Sequence, residues 1–349
     1  MIFREQEGRI LMNNEKKTIE VLYQSDDGYA IYMGVSIKSL LENNQQHNII
    51  VHILDLGISD INKEDIQKIV KKYNQKIVFY STIELKNEIK NSPIAKYSGF
   101  RRNKASYCKM FLDCIFPVSI EKILYIDCDT IVEGDIGIIM DIDMKGNPIG
   151  MVQDAQVTER FKKSIGFKKN DRYYNSGVIL FDMEQWRKKR CRERINKHAM
   201  QGYVYGTVDQ DYFNVVLKQE IYTLDISMNF QGLYYAYGIK NFEHVFKHEK
   251  NYYTEDEIQE AFKSPIIVHF LRFCGESPWN KNTVHPCKQN YEKYLDQSDW
   301  RQYKIELTKN SGYIFKVERA MYRVLPRFLF CRIFKCVHDI MLVKSNRAT

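Results

Sequence analysis

The sequence predicts an α/β protein built on a mainly parallel sheet with helices on both faces. Three observations predict it: short apolar runs and amphipathic stretches alternate from Thr18 onward, the stretches between carry aliphatic side chains at three- and four-residue spacing, and no repeat or low-complexity linker interrupts the alternation. Thr18 to Gln24 reads as a buried strand that runs into the polar loop Ser25-Asp26-Asp27-Gly28. Ala30, Met33, Ile37, Leu40 and Leu41 then mark one helix face, and Asn43-Asn44 closes it. A strand over 48–54, a helix over 63–73 and a strand over 76–80 continue the βαβ order, which requires parallel strands and crossover helices. A helix over 104–116 is stopped by Pro117, and a strand over 122–126 delivers Asp127-Cys128-Asp129 at its carboxyl end, the edge where open α/β sheets bind ligands. Further strands are expected at 150–152 and 177–181, with a helix over 209–217.

These elements divide the chain into a polar N-terminal extension over 1–17, one α/β domain over 18–296, and a basic, aromatic segment over 297–349. The extension lacks the apolar stretch of a secretory signal, and no apolar run is long enough to span a bilayer. Eight cysteines are scattered without the spacing of a bridged secreted module, and 44% hydrophobic residues suffice for a core, so reduced thiols in a cytoplasmic compartment are expected. The net charge of +8 does not mark a nucleic-acid domain. Residues 300–349 hold eleven Lys or Arg and three acidic residues, which leaves 41 of each sign elsewhere and a neutral body.

Asp127 and Asp129 are separated by one residue where the chain leaves the sheet, so both carboxylates can reach one hard cation such as Mn²⁺ or Mg²⁺. His269, ending the run Ile266-Ile267-Val268, supplies an imidazole for the same ion or serves as a hydrogen-bonded core histidine. Asp209-Gln210-Asp211 opens a helix, where negative charge also caps, and Asn175-Ser176-Gly177 is compatible with a plain turn. Cys274, His285 and Cys287 have zinc-ligating chemistry, but their spacing matches no regular zinc motif.

Taken in order, Ser25-Asp26-Asp27, Asp127-Cys128-Asp129, Asn175-Ser176-Gly177-Val178, Asp209-Gln210-Asp211 and His269 with Gly275 and Pro278-Trp279 resemble glycosyltransferase family 8, which includes bacterial lipopolysaccharide galactosyl- and glucosyltransferases and glycogenin. The resemblance covers about residues 18–290 and implies a GT-A fold that moves a hexose, with retention of configuration, from UDP-glucose or UDP-galactose to a saccharide acceptor. It further implies that Asp127, Asp129 and His269 hold Mn²⁺ or Mg²⁺, that Asp26 and Asp27 meet the nucleotide, and that Lys109, Asn175, Asp209 and Gly275 contact donor sugar or phosphate. Gln210 would face the donor sugar opposite the leaving group, and Asp154 would stand near the acceptor. Two departures bear on the diphosphate: Ser277 replaces the family's lysine, with Arg272 or Lys281 as substitutes, and two extra residues precede Gly275. The competing classes are a nucleotidyltransferase, which would carry an early glycine-rich phosphate loop, and a non-catalytic carbohydrate- or nucleotide-binding protein of the same fold.

From Tyr313 to Val343, aromatic and aliphatic residues interleave with Lys316, Arg319, Arg323, Arg327, Arg332 and Lys335, and Pro326 is expected to divide the helix. This pattern predicts either an interfacial segment on the anionic inner face of the cell membrane, bringing the enzyme to a glycolipid acceptor, or an apolar face packed on the body with its cations in water.

Overall fold

The computed structural model describes residues 16–81, 83–94, 104–203, 205–281, 283–302 and 312–345. The central sheet is assembled from β1 (Thr18–Ser25), β2 (Asn48–Asp55), β3 (Lys76–Ser81), β4 (Lys122–Ile126), β6 (Ile149–Gln153), β7 (Tyr174–Asp182) and β8 (Ile221–Thr223), in the order β3-β2-β1-β4-β7-β6-β8. All neighbours are parallel except the two pairs made by β7. Side chains of a strand point alternately to opposite faces, so the sheet feeds two cores. Val21, Tyr23, Leu124 and Ile126 enter one of them with the helix Ala30–Asn43. Leu22, Ile123 and Tyr125 enter the other with Trp186 and Phe213.

A second sheet, which the sequence reading did not separate from the first, joins β5 (Thr130–Val132), β10 (Ile267–His269) and β9 (Phe230–Gln231) in the order β5-β10-β9. It begins one residue after Asp129 and ends on His269, so its edge and the carboxyl edge of the main sheet meet at one place. The stretch expected as one helix over 104–116 is two 3-10 turns, Lys104–Met110 and Leu112–Cys114. Its Tyr107, Met110, Phe111 and Leu112 are all buried, and nearly consecutive burial does not fit the one-sided stripe of a surface α-helix.

Beyond the expected domain boundary at 296, Trp300 packs into the body. A Cβ on Gly34, in the first helix, would lie 1.9 Å from its ring, so the helix carries glycine where the indole crosses it. Pro326 does divide the terminal segment, into helices Tyr313–Val324 and Arg327–Ser345. Both helices dock on the body. Phe330 and Cys331 are buried, Tyr322 meets Phe273 edge-on at 4.8 Å, and Arg319 pairs with buried Glu276 at 3.2 Å while donating to the Cys274 carbonyl. Of the interleaved cations, Arg319 turns inward, whereas Lys316 and Arg323 stay exposed. Among the described residues no helix is long and apolar enough to cross a membrane, and all eight cysteines are free thiols.

Candidate active site

The site is made possible by an irregularity in β7. Met151 of β6 pairs with Ile179, yet the next residue, Val152, pairs with Asn175, so Ser176, Gly177 and Val178 have no partner on that side. Such a bulge re-aims backbone groups that a regular ladder would consume. The freed Ser176 carbonyl accepts from Lys109 Nζ at 3.0 Å, and the freed Ser176 N–H donates to Gln210 Oε1 at 3.0 Å. On its other side β7 remains paired with β4, and Asp127 N–H donates to the Gly177 carbonyl at 2.8 Å.

Asp127, Asp129 and His269 bring one ligand atom each to within 4.8 Å of one another, with both carboxylates partly accessible and the imidazole buried. His269 Nε2 stands 3.4 Å from Asp129 Oδ1. Gly177 is what allows this approach, because a Cβ there would sit 2.1 Å from the His269 ring.

The hydrogen-bond network assigns the imidazole tautomer. Gly177 N–H, a donor without ambiguity, reaches Asn175 Oδ1 at 3.0 Å, and Asn175 Nδ2 donates to Asp154 Oδ2 at 3.0 Å. Asn229 must therefore turn its Nδ2 to Asn175 Oδ1, at 2.9 Å, and its Oδ1 to His269 Nδ1, at 3.1 Å. In the neutral ring Nδ1 then carries the proton and Nε2 presents its lone pair to the carboxylates, as a metal-binding histidine requires. Two carboxylate oxygens and one such nitrogen form a donor set that fits Mn²⁺ or Mg²⁺.

The charges around this group are tightly balanced. Lys109 is buried, yet its ammonium is held above the ordinary lysine range, because Asp127 and Asp209 outweigh the cost of burial. It lies 2.7 Å from Asp209 Oδ2, 3.8 Å from Asp127 Oδ1, and 4.3 Å over the Tyr125 ring, whose hydroxyl donates to Asp127. Burial raises the Asp127 carboxyl, with Lys109 pulling it down and Asp129 pushing it up. Asp129 moves the other way: burial raises it, but His269 and then Arg272 bring it below the usual carboxylate range. The imidazole rises in return, Asp129 and Asp127 overcoming its burial.

Gln210 is fixed by the Ser176 N–H on one side and by Asp154 Oδ2, at 3.2 Å, and the Tyr173 hydroxyl on the other. In Asp209-Gln210-Asp211, helix-end duty falls to buried Asp211, which accepts from Thr207 N–H and from the Tyr173 hydroxyl. Asp209 instead faces Lys109 and the Ser176 hydroxyl through Oδ2.

The remaining expected residues stand apart from this cluster. Asp26 is exposed at the end of β1 and caps the turn at Tyr29, while Asp27 Oδ1 takes hydrogen bonds from Ser59 N–H and Asn62. Cys128 Sγ donates to the Gln24 carbonyl, which docks the Asp-Cys-Asp turn beside Asp26. Gly275 has φ +73°, and a Cβ on it would lie 2.4 Å from Phe315, so the terminal segment covers this glycine. Trp279 stacks on Tyr32 at 3.9 Å. His285 Nε2 donates to the Leu271 carbonyl and its Nδ1 accepts from Cys287 N–H, which accounts for both ring nitrogens. Sequence reading missed the roles of Tyr173, Asn229, the Ser176 backbone and Tyr125; the last two lay in segments already singled out, the 175–177 turn and the 122–126 strand.

The family profile "Glycosyl transferase family 8" matches residues 20–283. The chain belongs to glycosyl transferase family 8. General stress protein A of Bacillus subtilis is 31% identical over 79% of this chain and 92% of its own length. A lipopolysaccharide 1,2-glucosyltransferase of Escherichia coli K12 is 24% identical over 84% of this chain and 82% of its own. The crystal structure of the galactosyltransferase LgtC in complex with donor and acceptor sugar analogues superimposes with a TM-score of 0.64 at 20% identity, covering 80% of this chain and 96% of that one. The fold is thus the GT-A fold, and family membership makes this a glycosyltransferase, with a nucleotide sugar as donor and a glycan as acceptor.

Replacing Gly177 with alanine is expected to push the His269 ring away from the carboxylates and weaken Mn²⁺ binding about ten- to a hundredfold, as loss of a ligand-orienting partner does. Isothermal titration with Mn²⁺ reads this directly, and circular dichroism checks that the sheet survives.

Proposed function

We propose that this family 8 glycosyltransferase is a retaining hexosyltransferase, which moves glucose or galactose from the UDP-sugar to a saccharide of a cell-surface glycan. The observation that carries the reading is the joining of the Asp127-Asp129-His269 group to Asp154 and Gln210 through Asn229 and Asn175. Asp127, Asp129 and His269 would hold Mn²⁺ or Mg²⁺, and when bound the ion offsets charge on the departing diphosphate. Lys109 adds a buried positive charge beside it, the kind of preorganised group whose removal costs about 10²- to 10³-fold in rate. Arg272 or Lys281 would supply the cation missing at Ser277. Asp26 and Asp27, at the end of β1, take the nucleotide.

Asp209, its Oδ2 held by Lys109 and Ser176, offers Oδ1 to a sugar hydroxyl, with Asn175 beside it. Gln210 orients rather than attacks. An amide is a poor nucleophile, and its oxygen is already engaged by the Ser176 N–H. This supports front-face displacement: the acceptor hydroxyl attacks C1 on the leaving group's side, the C1–O bond to the diphosphate breaks, and the hydroxyl proton passes to the diphosphate.

The terminal segment supports attachment to the inner face of the cell membrane. Tyr313, Ile314 and Val324 are exposed at 82%, 65% and 80%, next to exposed Lys316 and Arg323, and an apolar groove of about 260 Å³ opens between the two helices. Each cation near anionic lipid contributes about 1 kcal/mol, and the apolar side chains add a salt-insensitive part.

Incubation with UDP-glucose or UDP-galactose and Mn²⁺ is expected to release UDP, and transfer to give an α-linked product by NMR. Asp127→Asn and Asp129→Asn should lower turnover at least about a hundredfold, and EDTA should do the same to the unmutated protein. Full activity after exhaustive chelation, or a β-linked product, contradicts the reading.

The full chain should sediment with phosphatidylglycerol vesicles at low salt and be partly released at high salt. The double variant Ile314→Asp, Val324→Asp should stay in the supernatant, and unchanged sedimentation of that variant would show that these helices are not the anchor.

A further inference from the structure

Asp154 and Tyr173, beside Gln210, line the inner end of a cavity of about 270 Å³. That cavity shares Thr158, Glu159, Lys247 and Lys335 with a wider groove of about 830 Å³, so the two form one path leading outward from the candidate reaction centre. One wall is the catalytic body and the other is the second terminal helix, which contributes Arg332, Lys335 and Asp339.

The charge along this path is unbalanced. Its acids are already engaged: Glu159 pairs with Lys163 and Lys169, Glu249 with Lys169, and Asp339 with Arg160 and the Thr158 hydroxyl. Asp154 accepts from three amide groups, those of Asn175, Gln210 and Gln156. Lys162, Lys247, Arg332 and Lys335 have no carboxylate at ion-pair distance among the described residues. Two of them are also drawn partly out of water. Lys335 lies against the wall with its ammonium on the Val245 carbonyl at 2.8 Å, and burial lowers its pKa, as it does that of Lys162. Asp339 acts on Lys335, and Glu249, Asp171 and Glu159 on Lys162, without offsetting that burial, and an anionic ligand relieves what remains.

We propose that this path is the acceptor site and that it takes a saccharide bearing phosphate, the sugar hydroxyl reaching Asp154 and the phosphate resting among Lys162, Lys247, Arg332 and Lys335. The proposal rests on the glycosyltransferase reading above and deepens it, since it assigns the acceptor a charge. The terminal segment thereby gains a second task. It completes the acceptor wall with Arg332, Lys335 and Asp339 of its second helix, while Tyr313 and Ile314 stand on its first.

The test uses the full chain with Mn²⁺ and UDP present to fill the donor site. Lactose 6′-phosphate and lactose are titrated at low ionic strength and binding is followed by calorimetry. The phosphorylated disaccharide is expected to bind at least about tenfold more tightly, as charge-assisted contacts to phosphate would give. In the double variant Lys247→Gln, Arg332→Gln, both exposed positions, that preference should vanish, whereas Lys197→Gln, on a distant helix, should keep it. Thermal unfolding of the variants confirms that they remain folded. Equal binding of the two disaccharides overturns the proposal. So does a preference that survives the double variant, or a double variant that loses only its binding to phosphatidylglycerol vesicles, which would assign the groove to lipid headgroups. UDP release from UDP-hexose by the unmutated protein is measured in parallel, and its absence would strike the donor reading while the disaccharide comparison still reports on the groove.

Discussion

Everything at this site depends on the contact between Gly177 and the His269 ring, where two sheets come closer than any side chain would permit. A methyl group at 177 would overlap the imidazole, so the distance between the bulge of β7 and the end of β10 is set by bare backbone against a ring. Because β10 pairs with β5, which starts one residue past Asp129, that contact also fixes the reach of Asp129 toward His269 Nε2. The same glycine donates its N–H to Asn175 and thereby orients a chain of amides that ends on the Nδ1 side of the imidazole. One residue therefore bears on both the position and the tautomer of the ring.

The electrostatics follow from this geometry. Three aspartates converge at the carboxyl edge of the sheet, and like charges so close raise one another's pKa unless cations intervene. Lys109 supplies one cation from within the protein, between Asp127 and Asp209. A buried ammonium is expensive on its own, and here it is held by two carboxylates, a carbonyl and an aromatic ring, so that its removal would leave unbalanced negative charge rather than a simple vacancy. Burial raises the Asp127 carboxyl, whereas His269 brings that of Asp129 down against its own burial. A divalent cation held by Asp127, Asp129 and His269 would offset the negative charge gathered at this edge.

Much of this was legible in the sequence, for identifiable reasons. Strands β1 to β4 announce themselves as apolar runs, and the alternation with amphipathic helices leaves one sensible topology, so the sequence places Asp127 and Asp129 at the carboxyl edge of the sheet. What escaped are features that have no local pattern. The bulge in β7 is a difference in register between two strands, and Asn229 acts through a contact across 54 residues of sequence with Asn175. The 3-10 turns after Lys104 look like a helix because their apolar residues are dense, and only burial on all sides tells them apart. The terminal segment, with its interleaved cations and apolar residues, leaves both a membrane face and a face packed on the body open. Its docking depends on Arg319 finding Glu276 and on Phe315 finding a glycine, and neither partner can be chosen from spacing alone.

The central claim is that His269, oriented by Asn229 and seated on Gly177, is a ligand of the same ion as Asp127 and Asp129. Pulsed electron paramagnetic resonance of the Mn²⁺-loaded protein measures it most directly. The account predicts nitrogen modulation from one directly bound imidazole, which changes to the ¹⁵N pattern when the protein is labelled with ¹⁵N-histidine and disappears in His269→Asn. Mn²⁺ bound by oxygen ligands alone, with a spectrum that His269→Asn leaves unchanged, would contradict it.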